Sequence, residues 1–475
     1  MKPRRLKTLL VLSTLVPGIS FSAQLTLNEF LSQVAEKNQG VVANKLVAEG
    51  TGERENEGKL IFRPSIFAQG QAQIDKKPVA NPAAQGDRTD TQFLTAGLMQ
   101  NFNFGLKGQF AYTLFHTKIY NASTLFVPIN EYDDGVAKIE LSQSLWRNWW
   151  GKENKAQAEV INSATKVSKH VASYTVQTTM TTAESIYWSL SQSRKVVKVQ
   201  QDNLNRAGQI RSWNQRRINS GLAERSDFLQ AESNLKLREY EFKNALQQQN
   251  LLQRAFNSMR GIDSNVVTED LEPVASKDLK SLTPPVKDDL REDTKAAQEQ
   301  QNLARANAAL AIERNRPTFE VFGSYAFNGR GTDRGDAISN STKSDHTTSA
   351  IGFRFNAPLD FGTVSENISG YKKEQIAAEY NFQRKVFDQD REWNDLLTKF
   401  QDAKVRLDLV EAISDAQKSK SVNERTRLTN GRTTTFQVLS FELDSAAAEV
   451  LRIQTETDLL NIYAQMKLYS AGGAK

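Results

Sequence analysis

The residues from which a catalytic or metal site would have to start are three histidines, His116, His170 and His346. A metal or nucleophile site needs its ligands, or its base and orienting partner, clustered in space. Here the three fall on a predicted strand, a predicted helix and a predicted loop, far apart in sequence. Each reads as a surface or packing residue. The chain has no Cys to supply a thiolate ligand or nucleophile. No Gly-rich phosphate loop follows a strand. No catalytic residue, metal ligand or cofactor is expected, and the chemistry on offer is that of binding and passage.

The informative spacing is a repeat. Ile218-Asn-Ser-Gly-Leu-Ala-Glu-Arg-Ser-Asp-Phe-Leu-Gln-Ala-Glu232 has a relative at Leu428-Thr-Asn-Gly-Arg-Thr-Thr-Thr-Phe-Gln-Val-Leu-Ser-Phe-Glu442, offset by 210 residues. Gly221 falls on Gly431, Leu229 on Leu439 and Glu232 on Glu442. In each copy a long polar helical stretch precedes the Gly and another follows the Ser/Thr-rich residues. A Gly ending one helix, then Ser, Asp or Thr opening the next, is a C-cap followed by an N-cap. Each copy therefore predicts a hairpin turn between antiparallel helices.

The elements that hold these turns come in two similar sets. After a helical stretch over 26–62, Arg63-Pro64 stops the helix, because Pro disfavours helical geometry in the residue before it. Ile66, Ala68, Gly70, Ala72 and Ile74 then alternate with Gln69, Gln71 and Gln73. That is a strand with one oily and one wet face. Strands are expected at about 92–104, 108–118 and 136–145, with loops at 75–90 and around Asn130–Gly135. Trp146, Trp149 and Trp150 follow the last of them. They suit a membrane interface, where amphipathic rings sit at headgroup depth, and packing at a sheet-to-helix junction fits them equally well.

Residues 152–218 contain no Pro and one Gly. Val160, Ala164, Val167, Val171, Tyr174, Thr178, Thr181, Ser185, Trp188, Gln192, Lys195 and Val199 keep a 4,3 spacing, a coiled-coil seam with many polar members. Such a seam fits helices packed into a tube with a wet inner wall. The 67 residues would span ~100 Å at the helical rise. After Gly221 the heptad spacing continues to about Met259. A linker with Pro273, Pro284 and Pro285 follows, then a helix at 288–315 that stops at Arg316-Pro317 as the first stopped at Arg63-Pro64. Strands at about 319–327 and 349–359 flank a Gly/Asp/Ser/Thr loop at 328–347. A second long helix is predicted over 362–428, and after Gly431 a heptad run from Leu439 to Ala464. The two long helices are equal in length, as two arms reaching one plane must be.

The N-terminus has a basic start, the short apolar run Thr8–Val16 and small residues to Ala23, and is read as a secretory leader. Its Lys2, Arg4, Arg5 and Lys7, with no acid, account for most of the formal charge of +6, leaving +2. The basic balance is thus a targeting feature and argues for no nucleic-acid partner. No stretch reaches the ~18 apolar residues of a membrane helix. Without Cys neither a lipid anchor nor a disulfide is expected.

This layout resembles the TolC family, the outer membrane efflux proteins, over the whole chain after the leader. The paired Gly turns and the Arg-Pro steps into strands are its most specific parts. The resemblance implies an α+β membrane protein, with long antiparallel coiled-coil helices forming an α-barrel and a transmembrane β-barrel shared between three protomers. The implied divisions are a leader at 1–23, an N-terminal helix at 24–62 and a first strand set at 63–146. A helical hairpin at 147–260, with its tip at 219–226, leads to an equatorial linker at 261–286. A helix at 287–316, a second strand set at 317–360 and a second hairpin at 361–475, with its tip at 429–435, complete the chain. The strand count makes partners necessary on its own. Six strands, or the four usual in the family, are fewer than the ~8 of the smallest membrane barrels, and lipid forbids open sheet edges. Three copies give twelve strands, or eighteen if the 92–118 hairpin joins the wall.

The resemblance further implies that Ser220, Gly221, Leu222, Asn430, Gly431 and Arg432 meet the hairpin of a periplasmic adaptor protein, working with an inner-membrane pump. The gate departs from the family's pattern. There a Tyr before the second tip Gly bonds an Asp on the first tip, an Arg after that Gly bonds a Thr, and an Asp pair lines the mouth. Asp227 and Ser226 stand at the first-tip positions here, but the partners fall on Leu428 and Thr433 and the Asp pair on Gln437 and Ser440. A closed tip must use other contacts. The function implied is an outer-membrane export duct of a tripartite efflux or type I secretion system. Its rival is a non-conducting coiled-coil spacer anchored in the envelope by a barrel.

The orientation is testable. The polar loops at 75–90 and 328–347 follow outward-running strands, so Cys placed at Asp87 or Asp336 should react with an impermeant thiol reagent on intact cells. Cys at Gly221 should stay unlabelled. Equal labelling at all three positions rejects the orientation.

Overall fold

The computed structural model describes residues 24–222, 224–273 and 276–470. The predicted leader at 1–23 lies outside the described residues. The chain opens with a short strand β1 (Gln24–Leu25), helices α1 (Leu27–Lys37) and α2 (Gln39–Glu53) and a 3-10 segment, Arg54–Phe62. Strands β2 (Ser65–Asp75), β3 (Arg88–Asn101), β4 (Leu106–Tyr120) and β5 (Glu131–Ser144) follow, with a single helical turn α3 (Pro82–Gln85) before β3. Next come α4 (Lys152–Asn219), 68 residues long, and α5 (Arg225–Met259). Strand β6 (Asp270–Leu271) and α6 (Ser276–Ser281) lead to α7 (Glu292–Arg314), β7 (Thr318–Gly331), α8 (Arg334–Asn340) and β8 (Thr347–Asn356). The chain ends with α9 (Phe361–Thr429), 69 residues long, and α10 (Thr435–Met466). No described helix is long and apolar enough to cross a membrane.

The chain divides into two compact units. One holds residues 44–174 and 290–390, and with them the whole sheet. Six strands pair in the order β2-β3-β4-β5-β7-β8, every pair antiparallel. The 92–118 hairpin is therefore part of the sheet, as β3 and β4, between β2 and β5.

Register sorts the side chains into two faces, since directly paired residues point the same way. One row runs Leu98–Phe110–Ile139–Tyr325, with Leu94, Tyr112, Ala137 and Phe327 on the same side. Ile351, Phe353 and Phe355 continue that face on β8, and Ile66, Ala68 and Ala72 on β2. The other face carries Gln69, Gln71, Gln73, Thr95 and Thr113, then Lys138, Glu140 and Arg354. Thr95 and Thr113 share a hydroxyl bond of 2.9 Å. Glu140 accepts from Lys138 at 2.8 Å and from Arg354 at 3.3 Å. The apolar face is the one the alternation in the sequence anticipated.

At the hairpin end the structure departs from the expected 328–347 loop. β7 runs on to Gly331, and α8 folds over the apolar face. A Cβ at Gly135 would meet the Tyr112 hydroxyl at 2.7 Å, and one at Gly329 would meet the Ser341 nitrogen at 2.1 Å. Only glycine lets this helix lie so close to the sheet. The Tyr112 and Ser341 hydroxyls then bond at 2.8 Å, and Asp333 caps α8 through the Asp336 N–H.

The second unit holds the chain up to Ala43, residues 175–289 and everything from Arg391 onward. Its core gathers Phe30, Val34, Tyr187, Leu190 and Phe256. Phe30 and Phe256 stack at 4.1 Å. The buried Tyr187 hydroxyl donates to the Leu25 carbonyl at 2.7 Å and accepts from the Glu272 N–H at 2.9 Å, and burial pushes its pKa up to about 12. It thereby ties together the neighbourhoods of β1 and β6, which pair in parallel.

Three expectations need correction here. The stretch 24–62 is not one helix, because Asn38 ends α1 and its Oδ1 caps α2 through the Val41 N–H at 3.1 Å. The segment 261–286 is more than linker, since it supplies β6 and α6. On α4 the core residues Met180, Ala183, Tyr187 and Leu190 are buried beside the expected seam. Of that seam, Thr181 and Trp188 are buried and Ser185 is half-buried. A helix that packs on neighbours at two sides buries more than one stripe, so a single heptad does not describe it. On α9, Phe400, Ala403 and Leu407 are buried, and on α10 so are Ala446, Ile453 and Ala464, within the expected heptad run from Leu439 to Ala464.

An acid-sensitive contact anchors the start of α7 in the sheet-bearing unit. His170 bonds Glu292 at 2.8 Å and Lys295 reaches it at 2.9 Å. The His170 bond, assisted by Lys295 and opposed by burial, lowers the Glu292 carboxyl to about 2 from an ordinary 4.5. A carboxyl depressed by folding adds stability that is present above its ordinary value and is lost as pH falls through the folded one. Glu292→Gln should therefore flatten the acid-induced loss of structure between about 4.5 and about 2 relative to the unsubstituted chain. Far-ultraviolet circular dichroism against pH measures this, and two superimposable curves refute it.

Candidate functional site at the helical turns

The two repeated turns adopt one geometry. Gly221 (φ 69°) and Gly431 (φ 70°) are both left-handed, in open space that a Cβ would not fill. Gly221 N–H donates to the Ile218 carbonyl at 2.9 Å and Leu222 N–H to that of Arg217 at 2.8 Å. In the second turn Gly431 N–H donates to Leu428 at 2.9 Å and Arg432 N–H to Arg427 at 2.8 Å. This pair of bonds is the Schellman arrangement, which satisfies the last carbonyls of a helix and requires a left-handed residue just past its end. Each glycine is thus needed for its φ and not for room.

The helix starts differ between the turns. Thr434 caps α10 by accepting the Gln437 N–H at 3.3 Å. At α5 the cap position is Glu224, whose side chain makes no capping bond; Ser226 donates to its carboxylate at 3.4 Å instead. The expected Ser/Asp/Thr cap therefore holds for the second turn and fails for the first. Ser220, Leu222, Asn430 and Arg432 are exposed, Leu222 to 67%. Arg217 braces the first turn, donating to the Leu222 carbonyl at 2.8 Å while its guanidinium lies 4.6 Å from the Trp213 ring. Phe436, just inside the second, is 66% exposed.

Of the six residues placed by the sequence at the gate, Leu428 has the clearest structural role. It is buried with Ile210, Ala231, Val438 and Leu439, and Trp213 packs against them. Asp227 lies in the first turn of α5, its N–H donating to the Glu224 carbonyl. Gln437 is exposed, and Thr433 and Ser440 are half-buried.

The bonds that join α10 to its neighbours come from residues that sequence reasoning passed over. Thr435 donates to the fully buried Asn214 of α4 at 3.0 Å. Glu442 accepts from Arg206 of α4 at 2.7 Å and from Arg425 of α9. Glu449 accepts from Ser414 of α9 at 2.8 Å. Glu456 accepts from Lys195 of α4 at 3.1 Å. Each of these four follows the last by seven residues, so they form a polar stripe beside the apolar seam of α10. The signal was in the sequence, as a Glu recurring at 442, 449 and 456 on a helix already read as heptad. Arg452 holds the Glu449 carboxyl below its ordinary value against the effect of burial, and the Ser414 bond adds to this. A cavity of about 330 Å³ lies along the stripe, lined by Asp202, Arg206, Lys418, Arg425, Glu442 and Glu449.

Trp146, Trp149 and Trp150 lie in the sheet-bearing unit, where β5 gives way to α4. They are 49%, 40% and 59% exposed, and the Trp149 and Trp150 rings meet edge to face at 5.9 Å. Asn148 and Trp150 are left-handed there. Gly151 is required for a close approach, since a Cβ would meet the Asn103 carbonyl oxygen at 2.1 Å. The histidines stay apart. His116 bonds Asp133 at 3.1 Å, His170 bonds Glu292, and the His346 carbonyl accepts from Asn328. No group of three or more potential metal ligands assembles among the described residues.

No protein-family model and no curated protein matches this sequence. Solved structures do match its fold. The Campylobacter jejuni CmeC outer membrane channel aligns over 94% of this chain and 86% of its own, with a TM-score of 0.65 at 15% identity. The open state of the Neisseria gonorrhoeae MtrE outer membrane channel aligns over 95% and 90%, with a TM-score of 0.66 at 15% identity. CusC, described with the conformational changes of folding and transmembrane channel formation, aligns over 95% and 94%, with a TM-score of 0.67 at 13% identity.

The polar stripe can be tested at Glu442, where one carboxylate serves two arginines. Glu442 is 11% exposed and its arginines 28% and 40%. Glu442→Gln leaves two part-buried cations without their carboxylate, which should cost about 1–3 kcal/mol of local stability, less than a fully buried pair. Hydrogen exchange should accelerate over 435–442 while 400–410 on α9 exchanges as before. Unchanged exchange at 435–442 removes the stripe's claim to hold α10 in place.

Proposed function

We propose that this chain, which has the TolC-like fold of the outer-membrane channels, is an export duct: three copies lie in the outer membrane and send their helices into the periplasm. The sheet is the observation that carries this reading. One face is apolar over the part of the sheet nearer the long helices, from Ile66, Leu98, Phe110 and Phe353 to Leu94 and Leu114, and suits lipid; it turns polar at Asp90, His116, Lys118 and Asp133. The other carries amides, hydroxyls and a charged group around Glu140, and suits water. Trp146, Trp149 and Trp150, exposed where the sheet ends, take the interfacial position. The wet face favours a conducting duct over the rival reading of a spacer, which has no use for a polar lumen.

In this reading the two turns are the far ends of the duct. Ser220, Gly221 and Leu222, with Asn430, Gly431 and Arg432, dock the hairpin of a periplasmic adaptor that brings substrate from an inner-membrane pump. Leu222 and Phe436 supply exposed apolar contact there. The stripe on α10 takes the place of the absent family gate bonds and holds the second hairpin to α4.

Two measurements test the proposal. In planar bilayers the purified protein should conduct, and a spacer would not. Leu222→Asp combined with Gly431→Trp should leave the yield of assembled oligomer unchanged while abolishing export and crosslinking to the adaptor. Normal export by a normally assembled double variant overturns the docking role of the turns.

A further inference from the structure

The strand count of the sheet has a consequence for the width of the duct. The six strands run without interruption and alternate in direction, so the first, β2, and the last, β8, are antiparallel to each other. Each has a partner on one side only. Both edges are exposed along their length, with Ile66 at 82%, Ile351 at 85% and Phe353 at 70%. Protected edges in soluble proteins carry Lys, Pro or inward charges. Here β2 holds no Pro and a single charge, Asp75 at its far end, and the one charge of β8 is Arg354, on the polar face. These are edges made to be paired, and in lipid they would have to be.

The register follows from the strand ends. β2 begins one residue after Pro64, and β8 ends two residues before Pro358. Following the ladder across the sheet from Ser65 leads through Met99, Gln109, Glu140 and Ser324 to Ala350. Ala350 stands six residues before Asn356, where β8 ends. Bringing the start of β2 level with the end of a neighbour's β8 thus offsets the ladder by six residues over six strands. An even offset keeps the two faces continuous. With a rise of about 3.3 Å per residue and strands about 4.8 Å apart, it tilts the strands by about 35°, at the lower bound for closed barrels. The same register sets Ala68 against Phe353 and Gly70 against Ile351, small against large on the apolar face.

We infer that three copies close a single eighteen-stranded barrel, β2 of each paired with β8 of the next and Ser65 opposite Asn356, wide enough for a helical polypeptide. The number of copies rests on the proposed duct. At that tilt and spacing eighteen strands enclose a backbone radius of about 17 Å, against about 11 Å for twelve. A lining of side chains takes about 5 Å, half the distance between packed sheets. The remaining bore is about 24 Å, twice the width of an α-helix with its side chains at about 10–12 Å, whereas twelve strands would leave about 12 Å. Gln69, Gln71, Gln73, Thr95 and Thr113 line part of it with neutral polar groups, and on the same face Lys138 and Arg354 pair with Glu140 and Arg330 with Asp134.

Oxidative crosslinking of the full-length protein in detergent tests the pairing. Gln71→Cys with Ala350→Cys places the two thiols directly opposite across the junction and should give covalent trimers. Gln73→Cys with Ala350→Cys lies two residues out of register and should give at least several-fold less. Polyethylene glycols added on the extracellular side in bilayers should enter and lower conductance up to hydrated diameters near 20 Å. Covalent dimers that go no further, equal crosslinking of both pairs, or a cut-off near 12 Å would each overturn the eighteen-stranded barrel. Covalent trimers that fail to conduct would overturn the duct and leave the barrel standing.

Discussion

An amide or carbonyl facing hydrocarbon has no water to bond, so a sheet in lipid cannot end. On the proposed outer-membrane reading, that constraint bears on the six-stranded sheet of this chain. Six antiparallel strands with one oily face make a surface that is satisfied across its middle and unsatisfied at β2 and β8. β2 begins just after Pro64 and β8 ends just before Pro358, and α9 follows β8 as α4 follows β5. Four strands precede α4 and two more precede α9, an even number each time, so each set returns the chain to the end of the sheet from which it came, and the long helices that follow have nearly one length, 68 and 69 residues.

The helical unit solves a different problem. Long helices with polar seams slide and rotate easily, because apolar packing along a repeating seam is nearly the same after a shift of one heptad. The stripe on α10 removes that freedom. Thr435, Glu442, Glu449 and Glu456 each find a particular partner on α4 or α9, and a slip of seven residues would pair Glu442 with Asn214 and leave Arg206 facing Glu449. Buried polar groups of this kind add little net stability, since desolvation offsets most of their attraction, but they penalise wrong registers. The Tyr187 hydroxyl acts similarly at the other end of this unit, bonding backbone at Leu25 and Glu272 so that the short β1 and β6 are held side by side.

Much of this was legible in the residues alone. Alternation at Ile66–Ile74 and at Phe319–Phe327 marked strands and told their oily face from their wet one, because a strand's side chains have a period of two whatever surrounds them. Gly221 and Gly431 marked the turns, because a Schellman end needs a left-handed residue and only Gly takes that conformation without penalty. Those are local rules, and local rules can be read from a sequence.

What tertiary structure alone decided were matters of pairing. Whether the 92–118 hairpin joined the sheet depended on which backbone groups its edges met, and nothing in the alternation of β3 and β4 carries that information. That α8 would leave the expected loop and lie on the apolar face depended on Gly135 and Gly329, far apart in sequence, clearing space together. The displaced burial on α4 and the partners of the α10 stripe had the same origin. A heptad states which face of a helix is apolar, but the partners of that face, and of the charged stripe beside it, are set by other helices, α9 just before it in the chain and α4 more than two hundred residues away.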